Sequence, residues 1–346
     1  MAWEVKFPTL AQKKEFAPRV NALQYDHAYG RLSLAPPLDK CTFGPQNQYQ
    51  KERRTMHRRN VFWPLLLVVT LLAACMPIQP TNALPVKLEN GVVGTVNQPS
   101  GAGPQQPAPA VLMLHGFGSQ KDEVGNMYAR AADALAAQGV GSLRIDFSGF
   151  GKSDGDTGAS TVGGQIADAE AAYNWLAAQS WVDPARIGVL GFSLGGGIAI
   201  MTAGAHPDWF KSMATWSSVG NFNADFSGPP YDEARIVAAE NGIVGMDLGW
   251  RTIALKNDFF ATMKDYDIAD AITQHLGAYL AVAGDQDFSA AYAPGLVEAA
   301  PGAPTEAWII PGGDHTFLVL TEDQTMAEEV IQRTADWFAQ TLSAVQ

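Results

Sequence analysis

Three residues far apart in the chain have the types and settings that acyl transfer requires: Ser193, Asp287 and His315. Ser193 stands in Gly191-Phe192-Ser193-Leu194-Gly195, after an apolar run (Ile187, Val189, Leu190) and before a small-residue segment from Gly196 to Ile200. A strand, a sharp turn at serine and then a helix is the setting of a G-x-S-x-G nucleophile elbow. The turn strains the backbone at the serine, so the residues two before and two after it must be nearly free of side chain. Gly191 and Gly195 meet that demand. The hydroxyl is thereby lifted clear of the sheet, beside the positive end of a helix. Downstream, Tyr279–Ala283 is apolar and ends in Gly284-Asp285-Gln286-Asp287, and Ala307–Ile310 ends in Pro311-Gly312-Gly313-Asp314-His315. A neutral His315 takes the serine proton during attack on a carbonyl carbon and returns it to the leaving group. A carboxylate holds the imidazole in the right tautomer and stabilises the imidazolium.

Asp285 and Asp287 lie on one loop, and Asp287 is the favoured acid because a few residues are needed after the strand to bend back towards the base. Asp285 then caps the loop through nearby amides, and Asp314, next to His315, points elsewhere. Acyl transfer also needs two backbone N–H groups aimed at the developing alkoxide. One belongs to Leu194, the residue after the nucleophile. The other belongs to the loop after the apolar run Ala110–Leu114, which continues as His115-Gly116-Phe117-Gly118, and Phe117 is the expected donor.

Three segments together resemble the α/β-hydrolases, and among them bacterial esterases of the feruloyl/cinnamoyl-esterase and dienelactone-hydrolase-like group. They are Leu114–Gly118 with Lys121-Asp122-Glu123, Arg144-Ile145-Asp146-Phe147-Ser148-Gly149-Phe150-Gly151-Lys152-Ser153-Asp154-Gly155, and the Ser193 elbow. With the Asp287 and His315 loops the resemblance spans about residues 86–343. It implies a mostly parallel central sheet flanked by helices, a small cap insertion, and a serine carboxylic-ester hydrolase acting on small or aromatic acyl esters without a cofactor or metal. True dienelactone hydrolases use a cysteine nucleophile, and Ser193 departs from that. A serine peptidase or thioesterase would use the same triad, and a non-catalytic binding protein could use the same scaffold.

The elements that must position these residues are legible as an alternation. Strand-like segments are Gly91–Gln98 (antiparallel), Ala110–Leu114, Gly141–Phe147, Arg186–Phe192, Ser212–Ser218, Ala278–Gly284 and Glu306–Ile310. Helical patterns fall between them at Glu123–Gln138, Gly164–Gln179, Gly195–Ala205, Ala290–Ala299 and Met326–Leu342. Such alternation predicts a parallel sheet covered on both faces. Residues 220–275 interrupt it, where a cap would sit, and carry Phe222, Phe226, Tyr231, Trp250, Phe259 and Phe260. Those rings either line an acyl pocket or fasten the cap to the core.

The glycines of Asp146–Gly155 imply no nucleotide and are expected to shape a loop at the carboxyl edge of the sheet. A P-loop has a glycine separated by four residues from its Gly-Lys-Ser, and that position is Asp146 here. After Gly149-Phe150-Gly151 the third glycine of a dinucleotide fingerprint comes one residue late, at Gly155.

Met56-His57-Arg58-Arg59-Asn60 is basic, and Val61 through Ala74 is uncharged and apolar. That run is short of the ~20 residues of a spanning helix and fits a secretory h-region. It closes at Leu72-Ala73-Ala74-Cys75, which is similar to the lipobox of bacterial lipoproteins and implies a diacylated Cys75 as the mature N-terminus. Residues 56–74 are thus expected to be a signal peptide and 75–85 a Pro-containing linker, with 86–346 the catalytic domain. The protein is expected in the cell envelope, lipid-anchored on the outer side of the cytoplasmic membrane or in the periplasm or outer membrane. Residues 1–55 read either as the product of an upstream start codon that is not used or as an unstructured extension.

Charge divides at the same place. Residues 1–60 hold 11 Lys/Arg against 5 Asp/Glu, and the remainder 12 against 30. So acidic a domain has no electrostatic footprint for nucleic acid and disfavours polyanionic substrates.

Overall fold

The structure, a computed structural model, describes residues 82–343; the signal peptide, Cys75 and residues 1–55 of the sequence reading lie outside them. In chain order the elements are β1 (Asn82–Lys87), β2 (Val93–Gln98), β3 (Ala108–Leu114), α1 (Met127–Ala137), β4 (Gly141–Asp146), α2 (Val162–Ala177), β5 (Val182–Phe192), α3 (Leu194–Ala205) and β6 (Ser212–Trp216). There follow α4 (Phe222–Asp225), α5 (Pro229–Asn241), β7 (Ile243–Asp247), β8 (Thr252–Lys256), α6 (Asn257–Ala261) and α7 (Ile268–Ile272). The chain then completes the sheet through β9 (Ala278–Gly284), α8 (Ala293–Ala299), β10 (Thr305–Ile310) and α9 (Thr325–Thr341).

Eight strands form one sheet in the order β1-β2-β4-β3-β5-β6-β9-β10. β1 and β4 each pair antiparallel with β2, and every later pairing is parallel. Side chains alternate across the pleat, so β3 feeds two cores at once. Ala110, Leu112 and Leu114 join Ile187, Val189 and Ile198 on one face. Val111 and Met113 join Leu190, Trp216 and the inner sides of α1 and α9 on the other. Burial on both faces explains why these strands read as continuous apolar runs. Trp216 is wholly buried, and its indole N–H donates to Thr334 Oγ1 of α9 at 2.9 Å, fastening that helix to the sheet. Truncating it to alanine would cost about 3–5 kcal/mol.

Parallel register brings the carboxyl ends of the inner strands to one edge. Leu114 pairs with Gly191, Trp216 with Val282, and Gly284 with Ile310. Loops leaving those positions must converge, as open α/β sheets require at the carboxyl ends of their strands.

Some boundaries differ from the sequence reading. β1 begins at Asn82, inside the stretch assigned to the linker 75–85, and Pro85 sits in it. That is tolerated because β1 is an edge strand, paired only with β2. The first helix begins at Met127 instead of Glu123, since Glu123, Gly125 and Asn126 all have φ near +60° and cannot continue a helix. Between β6 and β9 the chain leaves the main sheet for α4, α5, the β7–β8 hairpin, α6 and α7. The hairpin was not anticipated, although its alternately buried and exposed residues have the strand period of two.

Candidate active site

At the end of β5 the chain turns at Ser193 with φ 54° and ψ −119° and enters α3 at Leu194. A side chain at residue 191 would collide with the Gly195 backbone, and one at residue 195 with the carbonyl of Leu114, so the elbow tolerates only glycine there. The Ser193 amide donates to the Trp216 carbonyl at 2.9 Å, and the Ser193 carbonyl accepts from the Val219 amide at 3.2 Å. Ser193 is therefore gripped on both sides by the end of β6 and the loop that follows it.

His315 Nε2 lies 3.1 Å from Ser193 Oγ, and His315 Nδ1 lies 3.0 Å from Asp287 Oδ1. With Nδ1–H donating to the carboxylate, Nε2 is free to accept the serine proton. Asp287 Oδ2 accepts from the hydroxyl and, at 3.4 Å, the amide of Ser289. Burial alone would raise the Asp287 carboxyl, but the His315 and Ser289 bonds outweigh it and hold the group below the usual carboxylate range. The imidazole lies between two rings. Phe288 stacks on it at 5.4 Å between centroids, and Phe192 meets it at 5.1 Å with a tilt.

The competing carboxylates are occupied elsewhere. Asp285 Oδ1 accepts from the Gly312 amide at 2.7 Å and so ties the acid loop to the base loop. Asp314 Oδ1 accepts from the amides of Thr316 and Leu318 at 2.9 and 2.8 Å. Phe317 and Leu318 are both left-handed, with φ of 54° and 59°. Asp314 thus secures the strained bend that carries His315, a role the sequence did not reveal.

Leu194 opens α3 and is buried; Phe117 follows Gly116 on the loop after β3. A Cβ built on Gly116 would lie 3.2 Å from the Ser193 Cβ, so this loop passes directly against the nucleophile. Among the described residues neither the Leu194 nor the Phe117 amide has an acceptor. Two unspent N–H groups beside a serine hydroxyl are an arrangement that can stabilise an oxyanion formed there.

His115, read only as part of a motif, braces that loop. Its Nδ1–H donates to the Gly116 carbonyl at 2.8 Å, and its Nε2 accepts from the Phe147 amide at 3.1 Å. An amide can only donate, so the ring is neutral with its proton on Nδ1. Burial lowers its pKa to about 4. Asp146, also wholly buried, accepts from the amides of Lys121 and Lys152 at 2.7 and 2.9 Å. Gly151, with φ 53°, lies against that carboxylate where a Cβ would clash. The glycines that imitate a nucleotide motif are therefore spent on wrapping the Asp146 carboxylate.

The cap reaches the same loop from outside. Leu248 lies against Gly118, and Arg251 Nη1 donates to the Gly118 carbonyl at 3.1 Å. The Phe117 ring packs with Phe226 and Phe259, at 5.0 and 5.4 Å. Most aromatic side chains of the insertion are buried in this way; Trp250 stays 68% exposed.

The family model described as serine aminopeptidase, S33, matches residues 105–244, less than half of the chain. An uncharacterized protein of Mycobacterium tuberculosis is 40% identical over 99 residues, 29% of this chain and 33% of that protein. The chain thus spans about a third of the length of that relative. The pimeloyl-[acyl-carrier protein] methyl ester esterase of Chromobacterium violaceum is 36% identical over 127 residues, 35% of this chain and 41% of the esterase. Among solved structures, Est1E from Butyrivibrio proteoclasticus with ferulic acid bound superposes with a TM-score of 0.57 at 19% identity. That match covers 74% of this chain and all of Est1E. Taken with the strand order and the convergence of loops at one sheet edge, these likenesses identify the fold as that of the α/β-hydrolases.

Proposed function

We propose that the protein is a serine carboxylic-ester hydrolase acting on small or aromatic acyl esters. The observation that carries this reading is the bridge of His315 between Ser193 Oγ and Asp287 Oδ1, at 3.1 and 3.0 Å. Ser193 Oγ attacks the ester carbonyl carbon while His315 Nε2 accepts its proton, and the carbonyl oxygen becomes an alkoxide facing the Leu194 and Phe117 amides. Collapse expels the alcohol, which takes the proton from His315 and leaves an acyl-serine. Water then attacks the acyl carbon, gives a proton to His315, and the acid departs as that proton returns to Ser193. Asp287 keeps the imidazole oriented and supports its positive charge.

An ester substrate is favoured by the likeness to the methyl ester esterase of Chromobacterium violaceum. An aromatic substituent is favoured by the ferulic acid of the Est1E structure and by Phe288, which is 45% exposed and stacked on His315. The aminopeptidase family match favours amide hydrolysis by the same triad as the second reading. Residues 56–75 further support a lipid anchor at Cys75 and hence a site in the cell envelope.

The test is turnover of p-nitrophenyl acyl esters, methyl ferulate and aminoacyl p-nitroanilides by the protein and its Ser193→Ala variant. Ester hydrolysis should fall by about 10⁴-fold or more in the variant. Turnover confined to the anilides would replace the esterase reading with the peptidase one. Wild-type rates equal to those of the variant on every substrate would remove both.

A further inference from the structure

The turn that offers the Phe117 amide has little of its own to hold it: one bond, from the Ser119 amide to the Gly116 carbonyl at 3.2 Å, closes it. His115 and Arg251 donate to the Gly116 and Gly118 carbonyls, and the side chain that accepts from a backbone amide of the turn is Glu123. Oε1 accepts from the Gly116 amide, the residue immediately before Phe117. Oε2 accepts from the Ser119 hydroxyl and the Val124 amide, both at 2.9 Å.

Glu123 is an expensive residue to place here. It is 6% exposed, it has no Lys or Arg partner among the described residues, and burial pushes its carboxyl up. Its φ of 60° is left-handed. A buried carboxylate without a cationic partner and a non-glycine residue in that conformation each destabilise a fold. What the carboxylate supplies in return is acceptors on both oxygens for three donors; a glutamine would turn an NH₂ towards at least one of them. The charge also reaches the triad, since a protonated His315 favours the ionised form of Glu123.

We propose that Glu123 is the positioning residue of the oxyanion hole. Its carboxylate, bonded to the Gly116 amide and the Ser119 hydroxyl, holds the turn so that the Phe117 amide stays where the carbonyl oxygen of the attacked acyl group will be. The inference rests on the serine-hydrolase reading of the site.

The experiment compares the full-length protein with Glu123→Gln and Ser119→Ala. Its first readout is the second-order rate at which a fluorophosphonate modifies Ser193, a reaction in which Ser193 Oγ bonds phosphorus, fluoride leaves and His315 receives the proton. That rate needs the oxyanion hole but no knowledge of the natural substrate. The second readout is kcat and KM on p-nitrophenyl acetate, with rates referred to folded protein by circular dichroism and active-site titration. Glu123→Gln should slow phosphonylation and kcat by about 10–100-fold, with KM changed by less than about threefold. Ser119→Ala removes one bond to the clamp and should slow both by about 3–10-fold. It remains decisive if Glu123→Gln does not fold.

Labelling of folded Glu123→Gln at the wild-type rate would overturn the proposal. So would a loss that falls equally on kcat and on binding of the product carboxylate, or an unaltered Ser119→Ala when Glu123→Gln is unfolded. A wild-type protein that is labelled but hydrolyses no ester would remove the ester substrate and leave the Glu123 test standing on the labelling rate. A wild-type protein that is never labelled would remove both readings.

Discussion

The carboxyl edge of the sheet and the insertion between β6 and β9 are built in opposite ways. At the edge, Ser193 follows the last residue of β5 directly, Asp287 lies three residues past β9, and His315 five past β10. Ser193 and Asp287 inherit their places from buried strands in parallel register, and His315 from the half-buried edge strand β10, which pairs in parallel with β9. The insertion has no such frame. α4 has four residues, α6 and α7 five each, and the strands of the hairpin five each. Pieces that short are unstable alone, so they lean on the rest of the fold: Phe226 and Phe259 on Phe117, Leu248 on Gly118, Arg251 on the Gly118 carbonyl, and Phe222 and Ala271 on Gly197 and Gly204 of α3. The difference separates chemistry from selection. On the proposed reading, proton transfer would depend on the sheet, whereas the insertion meets the Phe117 loop from outside through Arg251, Leu248 and the rings on Phe117.

The largest effect that would sharpen this contrast lies within the edge. Asp287→Asn should lower kcat by about 10³–10⁴-fold, because an amide next to Nδ1 permits the wrong tautomer. Asp285→Asn, which only weakens the bond to the Gly312 amide, should lower it by less than about tenfold. Equal losses in steady-state kinetics would break the division of labour between the two carboxylates.

A smaller effect tests how firmly the edge is braced. His115 is neutral in the fold down to about pH 4, whereas in the unfolded chain it takes up a proton near its ordinary value of 6.5. The unfolded state therefore binds more protons within that window, and stability falls as pH drops from 6.5 towards 4, then levels off. The loss assignable to His115 is about 3 kcal/mol. Glutamine carries a donor and an acceptor but does not titrate, so His115→Gln should be less stable at pH 7 yet lose less on acidification. Urea unfolding at pH 7 and pH 4.5 would show this, and identical pH slopes in the two proteins would contradict it.

The smallest effect belongs to the insertion. Arg251→Ala removes one bond to the Gly118 carbonyl and should change kcat/KM by about 3–10-fold, with the ratio between acetyl and aromatic esters shifting and the fluorophosphonate rate nearly constant. If Arg251→Ala slowed labelling as much as Glu123→Gln, the insertion would belong to the catalytic apparatus and the contrast would fail.

Much of the edge was legible because its requirements are local. Gly191 and Gly195 declare the elbow through steric demands within five residues, and the apolar runs before His115, Ser193, Asp285 and Pro311 mark where strands stop. β1 was hidden because an edge strand needs neither a continuous apolar run nor freedom from proline. The bracing of the edge was hidden for another reason. Nothing in the spacing of His115, Glu123 or Asp314 shows which amide each will meet.

The chain's own residues dictate the positions at which strands end and reactive groups follow, since backbone strain at a turn and the apolar character of a run act over a few residues. Contacts between distant segments settle which carboxylate meets the imidazole, how the oxyanion loop is held and where the insertion rests. Asp287 is 28 residues from His315, His315 is 122 from Ser193, and Arg251 is 133 from Gly118. Across such separations a hydrogen bond is decided by strand register and packing, which no local pattern encodes.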